Sequence, residues 1–302
     1  MSARMRDLLS DGFDQLRREP IAKRIRAVHA GVTVADSTRA VLVWEPRRVV
    51  PSYALPVDDV RGELLPGDPA GTGTAGTDAA DAGGVRLPDV TGRPVLDPSI
   101  PFPVHSTPGH VMTVRAGGQD RPGAGFCPAD PDLAGYVVLD FGAFDTWYEE
   151  DQPNVGHPHD PFHRIDVLPS SRPVRLELDG WLLAESSRPA LLFETMLPTR
   201  FYLRREDIRA ELIPSSTTTY CAYKGRASYW SASVGGRVIP DAAWTYTEPL
   251  HDATPVRDLI AFFDERVDLT LDGRRRERPV TPWSAPRAGD GDGAGPGRRG
   301  GN

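Results

Sequence analysis

Residues 173–230 read PVRLELDGWLLAESSRPALLFETMLPTRFYLRREDIRAELIPSSTTTYCAYKGRASYW, and this stretch decides the fold because its first two thirds recur near the N-terminus. Residues 31–45 align without a gap on 180–194, where Ala35, Ser37, Arg39, Leu42 and Glu45 return as Ala184, Ser186, Arg188, Leu191 and Glu194. The aromatic residue before the glutamate is Trp44 in one copy and Phe193 in the other. After small length changes, DVRGELLP at 59–66 matches DIRAELIP at 207–214. Further along, His105-Ser-Thr-Pro-Gly109 falls opposite Cys221-Ala-Tyr-Lys-Gly225. Residues 164–167 fall opposite 266–269, so both copies are expected to close with the same strand. A repeat unit this long is a duplicated domain, since solenoid units are shorter and more numerous.

Length and composition agree with two modest cores. The chain has 302 residues, 39% of them hydrophobic, an ordinary globular make-up. A net charge of -7 argues against a nucleic-acid footprint, which needs a clustered basic surface. No apolar run reaches membrane-spanning length and no secretory leader is visible, so the expected location is the cytoplasm, with no membrane partner. Two cysteines exclude a disulfide framework and a four-cysteine zinc site. Lys23 and Lys224 are the only lysines among many arginines, a bias expected of a GC-rich bacterial genome.

In chain order, Met5, Leu8, Leu9, Phe13 and Leu16 predict an amphipathic helix over 4–18, ending before Pro20 within an N-terminal segment 1–23. A first β domain is expected over 24–168. Its strands lie at 23–28, 41–44, an edge strand at 49–55 carrying prolines, 110–114 and 136–141, with a helical turn at 144–150. Residues 67–84 hold no large apolar side chain and read as a flexible insertion. A second domain is expected over 170–273, with strands at 175–178, 181–184, 190–194, 200–203, 227–233 and 244–247. A short helix is expected at 255–263, because Val256, Leu259, Ile260 and Phe263 share one helical face. Residues 274–302 read as a disordered tail. The expected fold is therefore mainly β: two tandem small antiparallel domains, tent-like, barrel or sandwich, with few short helices.

Several blocks carry a resemblance: Val43-Trp-Glu-Pro46, Trp147-Tyr-Glu-Glu-Asp151, His157-Pro-His-Asp-Pro-Phe-His-Arg164, Leu192-Phe-Glu-Thr-Met-Leu-Pro-Thr-Arg200 and Cys221-Ala-Tyr-Lys-Gly225. Together they resemble the domain of unknown function 427 family in a two-copy bacterial form, over most of residues 20–273. The resemblance implies a small, tent-like β domain and brings a nucleotidyltransferase label, a name rather than a chemistry. Ala222 departs from the proline expected after the cysteine, which alters local stiffness but leaves Cys221 and Lys224 in place.

Candidate sites compete. Cys221 and Lys224, with Arg200 and Tyr202 on a nearby strand and Trp230 beyond, predict a pocket for a small anionic ligand in the second copy, with Cys221 as a nucleophile activated by Lys224. The bland alternative is a buried cysteine behaving as a small hydrophobe. In the first copy His105 and Pro108 stand in those places, so a single active pocket belongs to the second copy. His157, His159 and His163 with Asp160 offer the rival: a cupin-like metal site, or a rigid Pro-bounded loop lying against the acidic segment after Trp147, between the copies. Missing a fourth ligand, the loop is expected to hold no metal, and no cofactor is predicted. Glu194 and Glu45 end an apolar strand in both copies. Each is a candidate general base, or a structural partner of the repeated Arg188 and Arg39. No phosphate-binding glycine loop or Gly-x-Ser-x-Gly elbow is present. The reading from a different class is a non-catalytic interaction module, with Trp181, Trp230 and Tyr229 meeting a protein partner.

Overall fold

The computed structural model describes residues 2–3, 8, 11–67, 95–96, 98 and 100–284. Most of the expected insertion at 67–84 and the end of the chain after 284 lie outside them. The first copy supplies β1 (Arg17–Pro20), β2 (Ile25–His29), β3 (Val32–Ser37), β4 (Val41–Trp44), β5 (Ser52–Pro56), β6 (Glu63–Pro66), β7 (Gly109–Ala116), β8 (Gln119–Pro128), β9 (Tyr136–Leu139), β10 (Thr146–Glu149) and β11 (Gln152–Asn154). The second supplies β12 (Ile165–Pro169), β13 (Val174–Leu178), β14 (Trp181–Ser186), β15 (Ala190–Glu194), β16 (Arg200–Leu203), β17 (Glu211–Cys221), β18 (Gly225–Val234), β19 (Arg237–Thr245), β20 (Ile260–Phe262), β21 (Asp268–Leu271) and β22 (Arg274–Arg275).

These strands form four antiparallel sheets in two tandem groups, with no closed barrel and few short helices. A seven-stranded sheet in the order β1-β4-β5-β9-β8-β7-β6 is joined by a four-stranded sheet, β11-β10-β2-β3. The second copy repeats this order strand for strand as β12-β15-β16-β20-β19-β18-β17 and β14-β13-β21-β22. Each copy buries a core between its two sheets, Leu42, Leu55, Val137 and Trp147 in one and Leu176, Leu183, Leu203 and Phe262 in the other. The outer faces of the seven-stranded sheets carry second apolar clusters, so β4 is buried at every residue. That explains the unbroken Val-Leu-Val-Trp run, because a strand covered on both faces has no reason to alternate.

The repeated blocks have a physical cause. Ser37 Oγ donates to Asp59 at 2.6 Å and Ser186 Oγ to Asp207 at 2.7 Å. Each serine also accepts the backbone N–H of the repeated arginine, at 3.0 and 3.1 Å. The bond ties the turn after β3 or β14 to the 3-10 turn that follows β5 or β16. The β2–β3 and β13–β14 hairpins turn on Ala30-Gly31 and Asp179-Gly180, all with positive φ, the geometry that matches strand twist.

Some expectations fail. In the segment read as a helix over 4–18, Leu8 and Asp11 are helical but Arg17–Pro20 is strand, drawn into pairing with the buried β4. Residues 144–150 hold β10, held by β2. Residues 255–263 form no α-helix: a 3-10 turn, His251–Val256, precedes β20. β5 is internal, between β4 and β9, with its prolines confined to its ends. Residues 164–167 open the second copy, since β12 pairs with β15, and the counterpart of β21 is β10. The tail expected to be disordered from 274 instead runs as β22 and packs as far as Trp283 on Arg200. Among the described residues no helix is long and apolar enough to cross a membrane.

Candidate functional site

The hairpin loop between β17 and β18 is Ala222-Tyr223-Lys224, closed by the pairing of Cys221 with Gly225. Lys224 is only 8% exposed. Its Nζ donates to both carboxylate oxygens of Glu194, at 2.6 and 2.5 Å. Glu194 ends β15, and His163 Nε2 reaches the same carboxylate at 3.0 Å. Burial pushes the Glu194 carboxyl up, but the Lys224 charge and the His163 hydrogen bond outweigh it and hold the carboxyl at about 2.

The histidine loop between β11 and β12 closes over this pair. Three imidazoles surround the Tyr223 ring: His163 stacked at 4.1 Å, His159 at 5.5 Å and His157 edge-on at 5.6 Å. Tyr223 Oη accepts the backbone N–H of Asp160 at 2.8 Å, and burial raises its phenol well above the usual range. His159 spans the copies, with Nδ1 on Glu149 Oε2 at 3.0 Å and Nε2 on the Ala222 carbonyl at 2.8 Å. Both partners are acceptors, so the ring donates twice and is an imidazolium. Its pKa is accordingly raised, first by the Glu149 hydrogen bond. Glu149 also accepts from Lys23 Nζ and Tyr53 Oη, each at 2.6 Å. Burial pushes that carboxyl up, but the hydrogen bonds from His159, Lys23 and Tyr53 hold it at about 2. His157 is the opposite case: burial above all, then the charges of His159, His163 and Lys224, bring it down to about 4.

The structure thus joins two clusters that the sequence kept apart, Lys224 with Glu194 and the three histidines. It separates others. Arg200 lies with the acids of the β20–β21 turn: it donates to Asp264, and to Glu265 at 2.8 and 2.6 Å, between the rings of Trp244 and Trp283. Tyr202 is buried, its Oη accepting from Trp244 Nε1 at 3.0 Å. Trp230 packs on the opposite face, against the inter-sheet core, with Nε1 unpartnered. Trp230 does not join Lys224 because successive residues of a strand face opposite sides and it points into the inter-sheet core, while Arg200 is committed to Asp264 and Glu265. Cys221, partly exposed at the end of β17, is a free thiol. The expected pairing of the strand-end glutamates with Arg39 and Arg188 is also replaced, since those arginines hold Asp59 and Glu206. Among the described residues no three His, Cys, Asp or Glu side chains are arranged to hold a metal ion: the three histidines face three different partners.

Sequence reasoning missed Tyr223 as the centre, and Tyr53, Lys23 and Glu149 as contributors from the first copy. The signal for Glu149 was present in the Trp147-Tyr-Glu-Glu-Asp151 block, next to a loop expected to lie against it.

The model of a domain of unknown function, DUF427, labelled as an NTP-transferase family, matches residues 17–75 and 166–273, more than half of the chain. The chain belongs to the DUF427 family. No curated protein matches it. Both matched segments contain the strand-end glutamate, and the histidine loop falls in the gap between them, so the candidate site joins two DUF427 units through residues outside either.

Proposed function

We propose that this protein binds a small anionic ligand at the junction of its two copies, with Lys224 and His159 as its cationic groups and Tyr223 as an aromatic floor. The observation that carries the reading is the convergence of His157, His159 and His163 on the Tyr223 ring, with Lys224 and His163 meeting on the Glu194 carboxylate beside it. Lys224, Lys23 and the doubly donating His159 match the carboxylates Glu149, Glu194 and Asp160 in number, so what supports the reading is the clustering of donors and not an excess of charge. His157, brought down to about 4 mainly by burial, is the neutral member of the group. Glu194 serves to hold Lys224 in place by both oxygens, and charge-assisted contacts of this kind are the strong ones. The family's NTP-transferase label makes phosphate esters the first class to try, and transfer chemistry at Cys221 is a separate question from binding. Both cysteines are free, in keeping with the reducing cytoplasm.

The test is native mass spectrometry of the purified chain for a co-purifying mass, followed by calorimetric titration with ATP, AMP and pyrophosphate. Binding is expected, and Lys224→Met should weaken it more than tenfold, the loss of one charge-assisted contact of roughly 1.5–3 kcal/mol. No retained mass and no heat with any of the three defeats the reading. A second reading, an interaction module, is favoured by Trp181, 57% exposed and bordering a shallow groove with Leu178, Val234 and Ile239. A partner protein whose retention is lost in Trp181→Ala and kept in Lys224→Met would support it.

A further inference from the structure

One imidazole bridges Glu149 of the first copy and the β17–β18 hairpin loop of the second. His159 Nδ1 lies 3.0 Å from Glu149 Oε2 and its Nε2 lies 2.8 Å from the Ala222 carbonyl. The backbone N–H of His159 also points at Glu149, 3.4 Å from Oε1. The bridge thus grips the first copy with two donors and Ala222 with one. Both ring partners are acceptors, so only a ring protonated on both nitrogens satisfies the two together. A neutral ring must turn one lone pair on an acceptor, and the two choices are unequal. A lone pair on Nδ1 would face a full carboxylate, whereas one on Nε2 would face a carbonyl dipole. The remaining proton therefore stays on Nδ1, and the Ala222 contact is the one that fails.

The groups around the ring decide which of them changes charge. From the first copy, Glu149 favours the charged ring through its hydrogen bond, Lys23 opposes it, and Tyr53 bonds the same carboxylate. The second copy brings Tyr223, its ring 5.5 Å away, and the Lys224–Glu194 pair. His157, Asp160 and His163 lie on the same loop as His159. Glu149 and Glu194, held at about 2, and His157, brought to about 4, keep one charge state above about pH 6. His159 is raised above the ordinary imidazole value, so its double grip is complete below that value and is lost as pH rises through the folded pKa.

We propose that His159 is a pH-operated latch between the two copies: protonated, it ties Glu149 to Ala222, and on losing its Nε2 proton it releases the hairpin loop. Ala222 is 0% exposed, so its carbonyl, left without a donor and facing a lone pair, shifts to find water. The hairpin itself survives, since Cys221 pairs with Gly225 at the base of the loop and the Leu250 N–H holds the Lys224 carbonyl at 3.1 Å. Tyr223 follows Ala222 in the chain, so the shift carries its ring away from the histidines. Acid then assembles the junction and base dismantles it. That this regulates ligand binding rests on the anion reading above; the latch itself does not.

The test is hydrogen–deuterium exchange of the ligand-free full chain across the His159 titration, corrected for intrinsic exchange and paired with histidine NMR to follow the ring. Protection of the 222–225 amides should fall about tenfold as His159 loses its proton, the loss of one charge-assisted bond. His159→Arg, which keeps a charge and several donors at every pH, should hold protection throughout. Glu149→Gln should move the step to lower pH, and is the second variant if the arginine does not fit. Protection that stays flat while His159 titrates, a step unchanged in His159→Arg, or a midpoint unmoved by Glu149→Gln would each overturn the latch. No ligand enters the experiment, so a failure of the latch and a failure of anion binding are read separately.

Discussion

Replacing Glu194 by methionine tests whether the junction ion pair is a coupled unit. The substitution keeps side-chain volume but leaves the Lys224 ammonium in a site where the residue is 8% exposed, with its counter-charge gone. Removing one partner of a buried pair costs roughly 3–5 kcal/mol, whereas replacing both by apolar residues is often near neutral. The carboxyl itself supplies an independent magnitude. It falls from about 4.5 in the unfolded chain to about 2, and at ~1.4 kcal/mol per pKa unit that is roughly 3 kcal/mol. Because the folded value is the lower one, this stabilisation is present above pH 4.5 and is lost as pH falls from there towards 2. Urea unfolding followed by tryptophan fluorescence at pH 7 should therefore place Glu194→Met about 3–5 kcal/mol below wild type. The double variant Glu194→Met with Lys224→Met should lie within about 1.5 kcal/mol of wild type, and the wild-type advantage over the double should shrink at pH 3. A single variant within about 1 kcal/mol of wild type, or a double worse than the sum of the singles, would refute the coupled-pair argument.

Histidine NMR should resolve the junction loop: His157 titrating near pH 4, and His159 above the ordinary imidazole range, with Glu149→Gln lowering the latter. His159 then adds stability below about pH 6.5 that disappears as pH rises through its folded pKa, whereas His157 contributes above 6.5 and loses that contribution between 6.5 and about 4. Arg200→Ala strands Asp264 and Glu265 and should destabilise by about 3–5 kcal/mol without weakening anion binding; a loss of binding beyond threefold would return Arg200 to the site. At Gly109 a methyl group would run into the Phe126 ring edge and sit 2.5 Å from the Cys127 carbonyl, so Gly109→Ala should cost about 1–3 kcal/mol in chemical unfolding, and an unchanged midpoint would count against the close approach.

The duplication was legible because its cause is local: Ser37 and Ser186 sit some twenty residues from the aspartates they hold, inside one recurring block. β4 was legible because burial on both faces writes itself as a run of apolar residues. What could not be read was pairing over long range. β10 is a strand because β2, about 120 residues earlier, takes its hydrogen bonds, and nothing in Thr-Trp-Tyr-Glu marks that. At 255–263 the helical spacing was real but coincidental. Ile260 and Phe262 face the inter-sheet core, while Ala261 and Phe263 face the outer cluster, so apolar residues on both sides of a short strand imitate one side of a helix. The anion reading placed Arg200 and Lys224 together because both are cations and the strand of Arg200 is one that the fold could bring near the Lys224 loop. Their carboxylate partners, Glu265 for one and Glu194 for the other, separate them.

The position of the histidine loop bears on how the chain can be divided. A fragment cut at the family boundaries, 166–273, would keep Glu194 and Lys224 but discard His163, and with it one of the carboxylate's two companions. It would also shed Thr281, whose hydroxyl holds Glu265, and Trp283, which caps Arg200. The segment that the family matches is therefore smaller than the network that holds it: the contacts of the second half reach back to His157 and forward to Trp283. An attempt to express it alone should begin near residue 155 and end no earlier than 284. Even then Glu149, from the other half, would be missing from His159.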